Sequence, residues 1–172
     1  MVTGTRADMT ALEAELWELA GSVPDPELPQ VGLAELGVLR AVHVTGPGRV
    51  EVELTPTYTG CPAVETMAAD VERVLHARGM PEVAVRTVLA PAWSTDDITA
   101  EGRRKLAEAG IAPPRPLRDG AAGGAVPLTL AIRCPHCGSA DTALLSRFSS
   151  TACKALRRCT SCLEPFDHFK EL

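Results

Sequence analysis

Two Cys-x-x-Cys pairs close to the C-terminus constrain this chain more than any other feature. Cys134-Pro-His-Cys137 and Cys159-Thr-Ser-Cys162 stand 21 residues apart in a sequence of 172. Two residues between paired cysteines let both sulfurs turn toward one ion, and Gly138 after the first pair suits the tight turn this requires. Four thiolates match a tetrahedral Zn²⁺. The gap is just longer than the ~15–20 residues usual between such pairs. The segment 128–172 has little core of its own, so a bound metal would supply much of its stability. Structural zinc contributes roughly 10–16 kcal/mol of apparent binding energy in small peptides. A redox dithiol pair, an iron-bearing ribbon and a ribbon that has lost its metal are alternative readings of the same spacing.

The rest of the chain is different in kind. Cys61 stands alone, while the other five cysteines crowd into the 29 residues from Cys134 to Cys162. Six cysteines are too few for a disulfide scaffold, and a reducing cytosol would not keep the bridges. Residues 1–126 hold 11 basic and 18 acidic side chains, a net of −7, whereas 127–172 hold 6 and 4, a net of +2. Pro113, Pro114, Pro116 and Pro127, with Gly120, Gly123 and Gly124, read as a linker. The expected organisation is a first domain over 1–112, a linker over 113–127 and a ribbon over 128–172.

Within the first domain, Thr10 and Glu13 have the spacing of a capping box, and Leu12, Leu16 and Leu19 share one helical face, with Gly21 as a left-handed terminator. Asp25-Pro26-Glu27-Leu28-Pro29 is not helix, because each proline pushes its predecessor into extended backbone. Strands follow at 38–44 and 50–54, joined by Thr45-Gly-Pro-Gly-Arg49. Pro62 opens a second helix with an apolar stripe of Val64, Met67, Val71, Val74 and Leu75, closed by Gly79. A strand over 83–89 then runs parallel to the second, and Thr99 caps a helix over 100–109 that Gly110 ends. The order α-β-β-α-β-α predicts an α+β class, a small mixed sheet packed by helices, followed by a small C-terminal β zinc ribbon.

Several functions are argued against by composition. No stretch resembles the 18 or so apolar residues of a membrane span; the longest uncharged run, Gly120–Ile132, is broken by glycine and proline. Asp8, Glu13, Glu15 and Glu18 lie where a signal peptide needs an apolar core, so a cytoplasmic protein is expected. Six aromatic residues and a net charge of −5 make nucleic acid a poor main partner. Arg133, Arg147, Lys154, Arg157 and Arg158 form a modest basic patch, equally consistent with a protein-docking surface.

Cys61 precedes the helix that Pro62 opens, where unpaired N–H groups and the helix dipole stabilise a thiolate. It reads as a nucleophile, a redox thiol or a soft-metal ligand on one side, and as a buried neutral helix cap on the other. One cysteine cannot complete a four-cysteine cluster site, so any iron held there takes its remaining ligands from a second copy or a client. Cys153 reads as a small buried hydrophobe, with a spare ligand or redox thiol as the alternative. His136 is given no role, and His168 is expected to pack rather than ligate.

Asp25-Pro-Glu-Leu-Pro29, Leu36-Gly37-Val38, Thr55-Pro-Thr-Tyr-Thr-Gly-Cys-Pro62 and Trp93-Ser94-Thr95-Asp96 resemble the metal–sulfur cluster assembly domain family. With Gly102-Arg103, Gly110-Ile-Ala-Pro-Pro114 and the stretch from Ser150-Thr-Ala-Cys-Lys-Ala-Leu156 to Glu164-Pro-Phe-Asp167, the chain resembles the branch that accompanies the multicomponent phenylacetyl-CoA epoxidase. That resemblance implies a non-enzymatic accessory factor that supplies or matures metal centres. Its implied partners are the epoxidase's di-iron subunit or iron–sulfur reductase. It further implies that Cys61 is the functional thiol and holds iron or a cluster in transit, with Asp25, Glu27 and Thr57 nearby. Asp97 departs from the aromatic residue expected by analogy. A stable subunit of the oxygenase, a ribbon-based regulator and a thiol oxidoreductase are the competing functions.

Overall fold

The computed structural model describes residues 9–58, 60–115 and 131–171. They belong to two compact units that divide between Trp93 and Ser94.

In the first unit, helix α1 (Ala11–Gly21) starts with the expected capping box. Thr10 Oγ1 accepts from the Glu13 N–H at 3.2 Å, and Glu13 Oε2 accepts from the Thr10 N–H at 2.9 Å. The other oxygen of Glu13 accepts from the Val44 N–H at 3.0 Å, so one carboxylate both caps the helix and ties it to the sheet. Gly21 does not terminate α1 as expected: it is the last helical residue, and Ser22 is the cap. A Cβ at Gly21 would stand 2.6 Å from the Ala34 Cβ, so glycine is required there for close approach.

The extended segment after α1 folds into a hairpin of β1 (Pro24–Asp25) and β2 (Leu28–Gly32), followed by the single turn α2 (Leu33–Leu36). Strands β3 (Leu39–Gly46) and β4 (Arg49–Leu54) pair antiparallel. Helix α3 (Ala63–Ala77) then crosses to β5 (Glu82–Thr87), which runs parallel to β4 as its position after the helix predicts. The sheet is mixed, in the order β3-β4-β5. Ala63, Met67, Val71 and Leu75 recur every fourth residue and form the buried face of α3. The inward residues of β4 (Val50, Val52 and Leu54) are fully buried. Trp93 closes the unit, its buried indole N–H donating to the Leu36 carbonyl at 2.9 Å.

In the second unit, Ser94 caps a 3-10 turn (Thr95–Asp97), and Thr99 Oγ1 accepts from the Gly102 N–H at 3.0 Å to start α4 (Ala100–Glu108). Asp97 completes its own cap by accepting from the Ser94 N–H at 2.9 Å, which gives the departure from an aromatic residue a local function. Beyond Gly110, at φ +77°, β6 (Ile111–Ala112) joins β7 (Thr142–Ser146), β8 (Lys154–Cys159) and β9 (Pro165–Phe169) in a sheet of order β6-β9-β8-β7.

Composition and spacing close the first module at residue 112, whereas α4 and β6 lie within the unit that contains the ribbon. The reason is burial: β6 pairs parallel with β9, and Ala112 joins Ile132, Cys134, Cys159 and Phe166 in one core cluster. Arg103 secures the segment by donating to the carbonyls of Thr95 and Pro114. Of the expected linker, 113–115 are described, while 116–127 lie outside the described residues. Among the described residues, no helix is long and apolar enough to cross a membrane.

Candidate metal centre and the Cys61 loop

Each cysteine pair sits on a knuckle of the same construction. The Cys134 N–H donates to the Ser139 carbonyl at 2.9 Å, and the Cys159 N–H donates to the Glu164 carbonyl at 3.0 Å. The residue after each pair is left-handed, Gly138 at φ +75° and Leu163 at φ +66°. Glycine adopts this conformation freely, whereas leucine incurs roughly 1–2 kcal/mol. Leu163 is a site that spacing alone does not single out, although it occupies the position in the second knuckle that Gly138 occupies in the first.

The knuckles bring four sulfurs together. The Sγ atoms of Cys134, Cys137, Cys159 and Cys162 all lie within 4.8 Å of one another, the one such group of Cys, His or carboxylate donors among the described residues. Cys134 Sγ is 3.7 Å from Cys162 Sγ, and Cys137 Sγ is 3.6 Å from Cys159 Sγ. A tetrahedral ion with metal–sulfur bonds of ~2.3 Å separates its ligands by ~3.8 Å, so a metal of that size fits between them without moving the knuckles.

Electrostatics agree with a cation at the centre. Backbone N–H groups of Cys162 and Ser161, helped by the neighbouring sulfurs, pull the Cys159 thiol down to about 6. Cys162 receives help from the Glu164 N–H, yet burial and the sulfurs of Cys159, Cys137 and Cys134 push it up to about 12. Four thiols in one small space cannot all ionise unless a positive ion joins them. Cys153 is buried and lies outside this group, its sulfur 3.1 Å from Thr151 Oγ1. His168 is buried on β9 and also lies outside it, with burial lowering its pKa. His136 packs over the turn before β6, where a Cβ on Gly110 would come within 3.2 Å of its Cε1.

Cys61 occupies a different environment in the first unit. Its N–H donates to the Tyr58 carbonyl at 3.3 Å, and its own carbonyl accepts from the Val64 N–H at 3.4 Å as α3 begins. The helix start is expected to lower its pKa, and the direction is the reverse. Burial raises it most; the Ala63 N–H and the Tyr58 side chain act against this, and the carboxylates of Glu27 and Asp25 add to the rise. The helix terminus thus contributes as anticipated but is outweighed.

The β1–β2 hairpin is what brings those carboxylates to the cysteine. Asp25 also organises its own turn, its Oδ1 accepting from the N–H groups of Glu27 at 2.8 Å and Leu28 at 2.9 Å. Thr57 and Tyr58 line a neighbouring cleft of 220 Å³ with Leu89, Ala92 and Trp93. Tyr58 stands within a recognisable motif, but nothing in its spacing assigns it a role.

Comparisons with known proteins follow the same division of the chain. Residues 13–90 match the family described as iron-sulfur cluster assembly protein, and residues 122–170 match the PaaD zinc beta ribbon domain. A putative 1,2-phenylacetyl-CoA epoxidase component, the PaaD-type subunit of Escherichia coli strain K12, is 44% identical over 158 residues, covering 91% of each chain. An Fe-S protein maturation auxiliary factor of Porphyromonas gingivalis is 30% identical over 95 residues, 55% of this chain and 90% of that one. Among solved structures, the crystal structure of a domain of unknown function, DUF59, from Bacillus anthracis aligns with a TM-score of 0.53 and 27% identity, over 59% of this chain and 97% of that chain. Two family models in this order, with one relative matched along nearly the whole chain, place this protein in the PaaD family, an iron–sulfur assembly module joined to a zinc β-ribbon.

Proposed function

We propose that this protein is a cytoplasmic, non-catalytic accessory factor that matures the metal centres of the multicomponent phenylacetyl-CoA epoxidase. Its clients are the di-iron subunit or the iron–sulfur reductase. Cys61 is the thiol that carries iron or a cluster in transit, the four ribbon cysteines hold a structural Zn²⁺, and the 113–127 stretch links the two functions. The single observation that supports this most is the E. coli relative, whose likeness spans both modules. The P. gingivalis factor, matched through the first module, supports maturation rather than turnover.

The local chemistry suits such a cargo. A soft sulfur and the hard oxygens of Asp25 and Glu27 offer a mixed donor set of the kind iron accepts. One cysteine leaves most of a cluster's coordination to other molecules, which is what transfer to a client needs. The E. coli relative bears the name of an epoxidase subunit, which favours a second reading, a stable non-catalytic component of the oxygenase.

Epoxidase from cells that carry Cys61→Ala separates the two. Maturation predicts that the epoxidase subunits accumulate but lack iron or cluster, and that growth on phenylacetate fails. It also predicts that purified, metal-replete epoxidase turns over without this protein. A stoichiometric requirement in turnover would establish a working component instead, and normal client metal with Cys61→Ala would leave the thiol a structural role.

A further inference from the structure

Strand β7 has a free edge that departs from how soluble proteins protect such edges. It is the terminal strand of its sheet, pairing only with β8, and its sequence Thr-Ala-Leu-Leu-Ser contains no charge and no proline. Edge strands are ordinarily blunted by those residues, because their unpaired N–H and C=O groups template another strand. Here the pairing slips between Leu144 and Ser146: Leu144 faces Arg157, Ser146 faces Leu156, and Leu145 has no counterpart. Leu144 remains 49% exposed, Leu145 54% and, just beyond the strand, Phe148 65%.

The charges around this edge have one sign. Arg157 and Arg158 lie on β8 opposite Leu144 and Ala143; among the described residues their guanidinium groups donate to Thr142 and to the Leu163 carbonyl, never to a carboxylate. Lys170 Nζ lies 4.7 Å above the Phe148 ring and donates to the Arg147 carbonyl. Among the described residues, none of Arg147, Arg157, Arg158 and Lys170 pairs with a carboxylate, whereas Lys154 and Arg104 both do. Unpaired cations beside exposed apolar anchors and a free backbone edge are three independent requirements of one kind of ligand.

We propose that β7 is a docking strand that binds an extended, acidic segment of a partner protein by antiparallel or parallel strand addition. Backbone pairing with the β7 edge supplies the affinity. Leu144, Leu145 and Phe148 anchor alternate apolar side chains, and the surrounding Arg and Lys residues select carboxylates over cationic or neutral sequences.

The test uses the full-length, metal-loaded protein and soluble peptides of about ten residues, the length of a long strand. One alternates valine and glutamate, one alternates valine and lysine, and one is the glutamate peptide interrupted by prolines. Fluorescence anisotropy should show binding of the first only, weakening as salt is added. Hydrogen exchange should slow at 142–148 on binding. The exposed-residue variant Leu145→Ser/Phe148→Ser should bind at least about tenfold more weakly while keeping its metal. Arg147→Glu/Lys170→Glu should transfer preference to the lysine peptide, which keeps the test open if the first variant misfolds. Equal binding of glutamate and lysine peptides, tolerance of the prolines, or protection elsewhere would overturn the proposal. So would concentration-dependent self-association through this edge without peptide binding, or tighter binding of single- or double-stranded DNA that the same variants abolish.

Discussion

The ribbon and the Cys61 loop place cysteine sulfur in opposite electrostatic settings. In the ribbon four sulfurs share a space with N–H groups pointed at them, and the arrangement is complete once one cation enters. At Cys61 a single sulfur lies among carboxylates and under partial burial, so nothing local completes it and its proton is held more firmly than in water. A self-sufficient donor set retains its ion, whereas an insufficient one must share. The difference assigns a structural task to the first and a transient one to the second.

The harshest test of that contrast removes one ribbon sulfur. Cys159→Ser should lose the bound metal and, with it, order across 131–171, because the ion sits inside the core cluster of Ala112, Ile132 and Phe166. The expected loss approaches the ~10–16 kcal/mol attributed to structural zinc in small peptides. Metal analysis and amide exchange read both effects, and residues of the first unit should keep their protection. Cys153→Ser should retain a full complement, and its failure to do so would mean that the ligand set is wrong.

Acidification should show a smaller effect of the same origin. In the metal-free ribbon Cys159, near 6, is already thiolate at neutral pH, whereas Cys162, near 12, is protonated and must release its proton when metal binds. Affinity should therefore fall as pH falls, by about tenfold per unit for each proton displaced. Chelator competition between pH 6.5 and 8.5 (roughly the range in which thiols titrate) measures the slope. A flat profile would show that the thiols are ionised before metal arrives.

The two sites are not equally legible in the sequence. Each knuckle closes within six residues, Cys134 to Ser139 and Cys159 to Glu164, so spacing carries nearly all of its geometry. The partners of Cys61 lie more than thirty positions upstream and reach it only through the β1–β2 hairpin, which no local pattern announces beyond a run of extended residues. The pKa of Cys61 departs from expectation for that reason: the helix start is a local signal, while burial and the carboxylates are tertiary. Gly21 departs in the same way, since a terminator and a packing glycine look identical until Ala34 is placed against it. The capping residues Thr10 and Thr99, the β4–β5 parallel step and the buried stripe of α3 are all local and all recoverable.

Gly21 offers a mid-sized test, confined to the first unit. Gly21→Ala forces a methyl group against the Ala34 Cβ, and overpacking of this kind typically costs about 1–3 kcal/mol. The unfolding midpoint of the first unit should drop while ribbon metal content is unchanged. Adding Ala34→Gly should recover part of the loss, and a double variant no better than the single one would place the strain elsewhere.

The smallest expected effect concerns the reactivity of Cys61. With its pKa raised, less of it is thiolate at neutral pH than in a free cysteine, so it should alkylate more slowly than a cysteine peptide measured beside it. Removing one carboxylate lowers the pKa and should speed the reaction. Glu27→Gln is the informative change, because Asp25 also holds the turn through two N–H groups and its loss would disturb the loop. The acceleration should vanish well above the thiol pKa, where thiolate fraction no longer limits the rate. Should Glu27→Gln leave the low-pH rate unaltered, or should Cys61 react faster than the free peptide, the carboxylates do not govern the thiol. The loop would then have the electrostatics of an ordinary helix start, and its contrast with the ribbon would lie in ligand number alone.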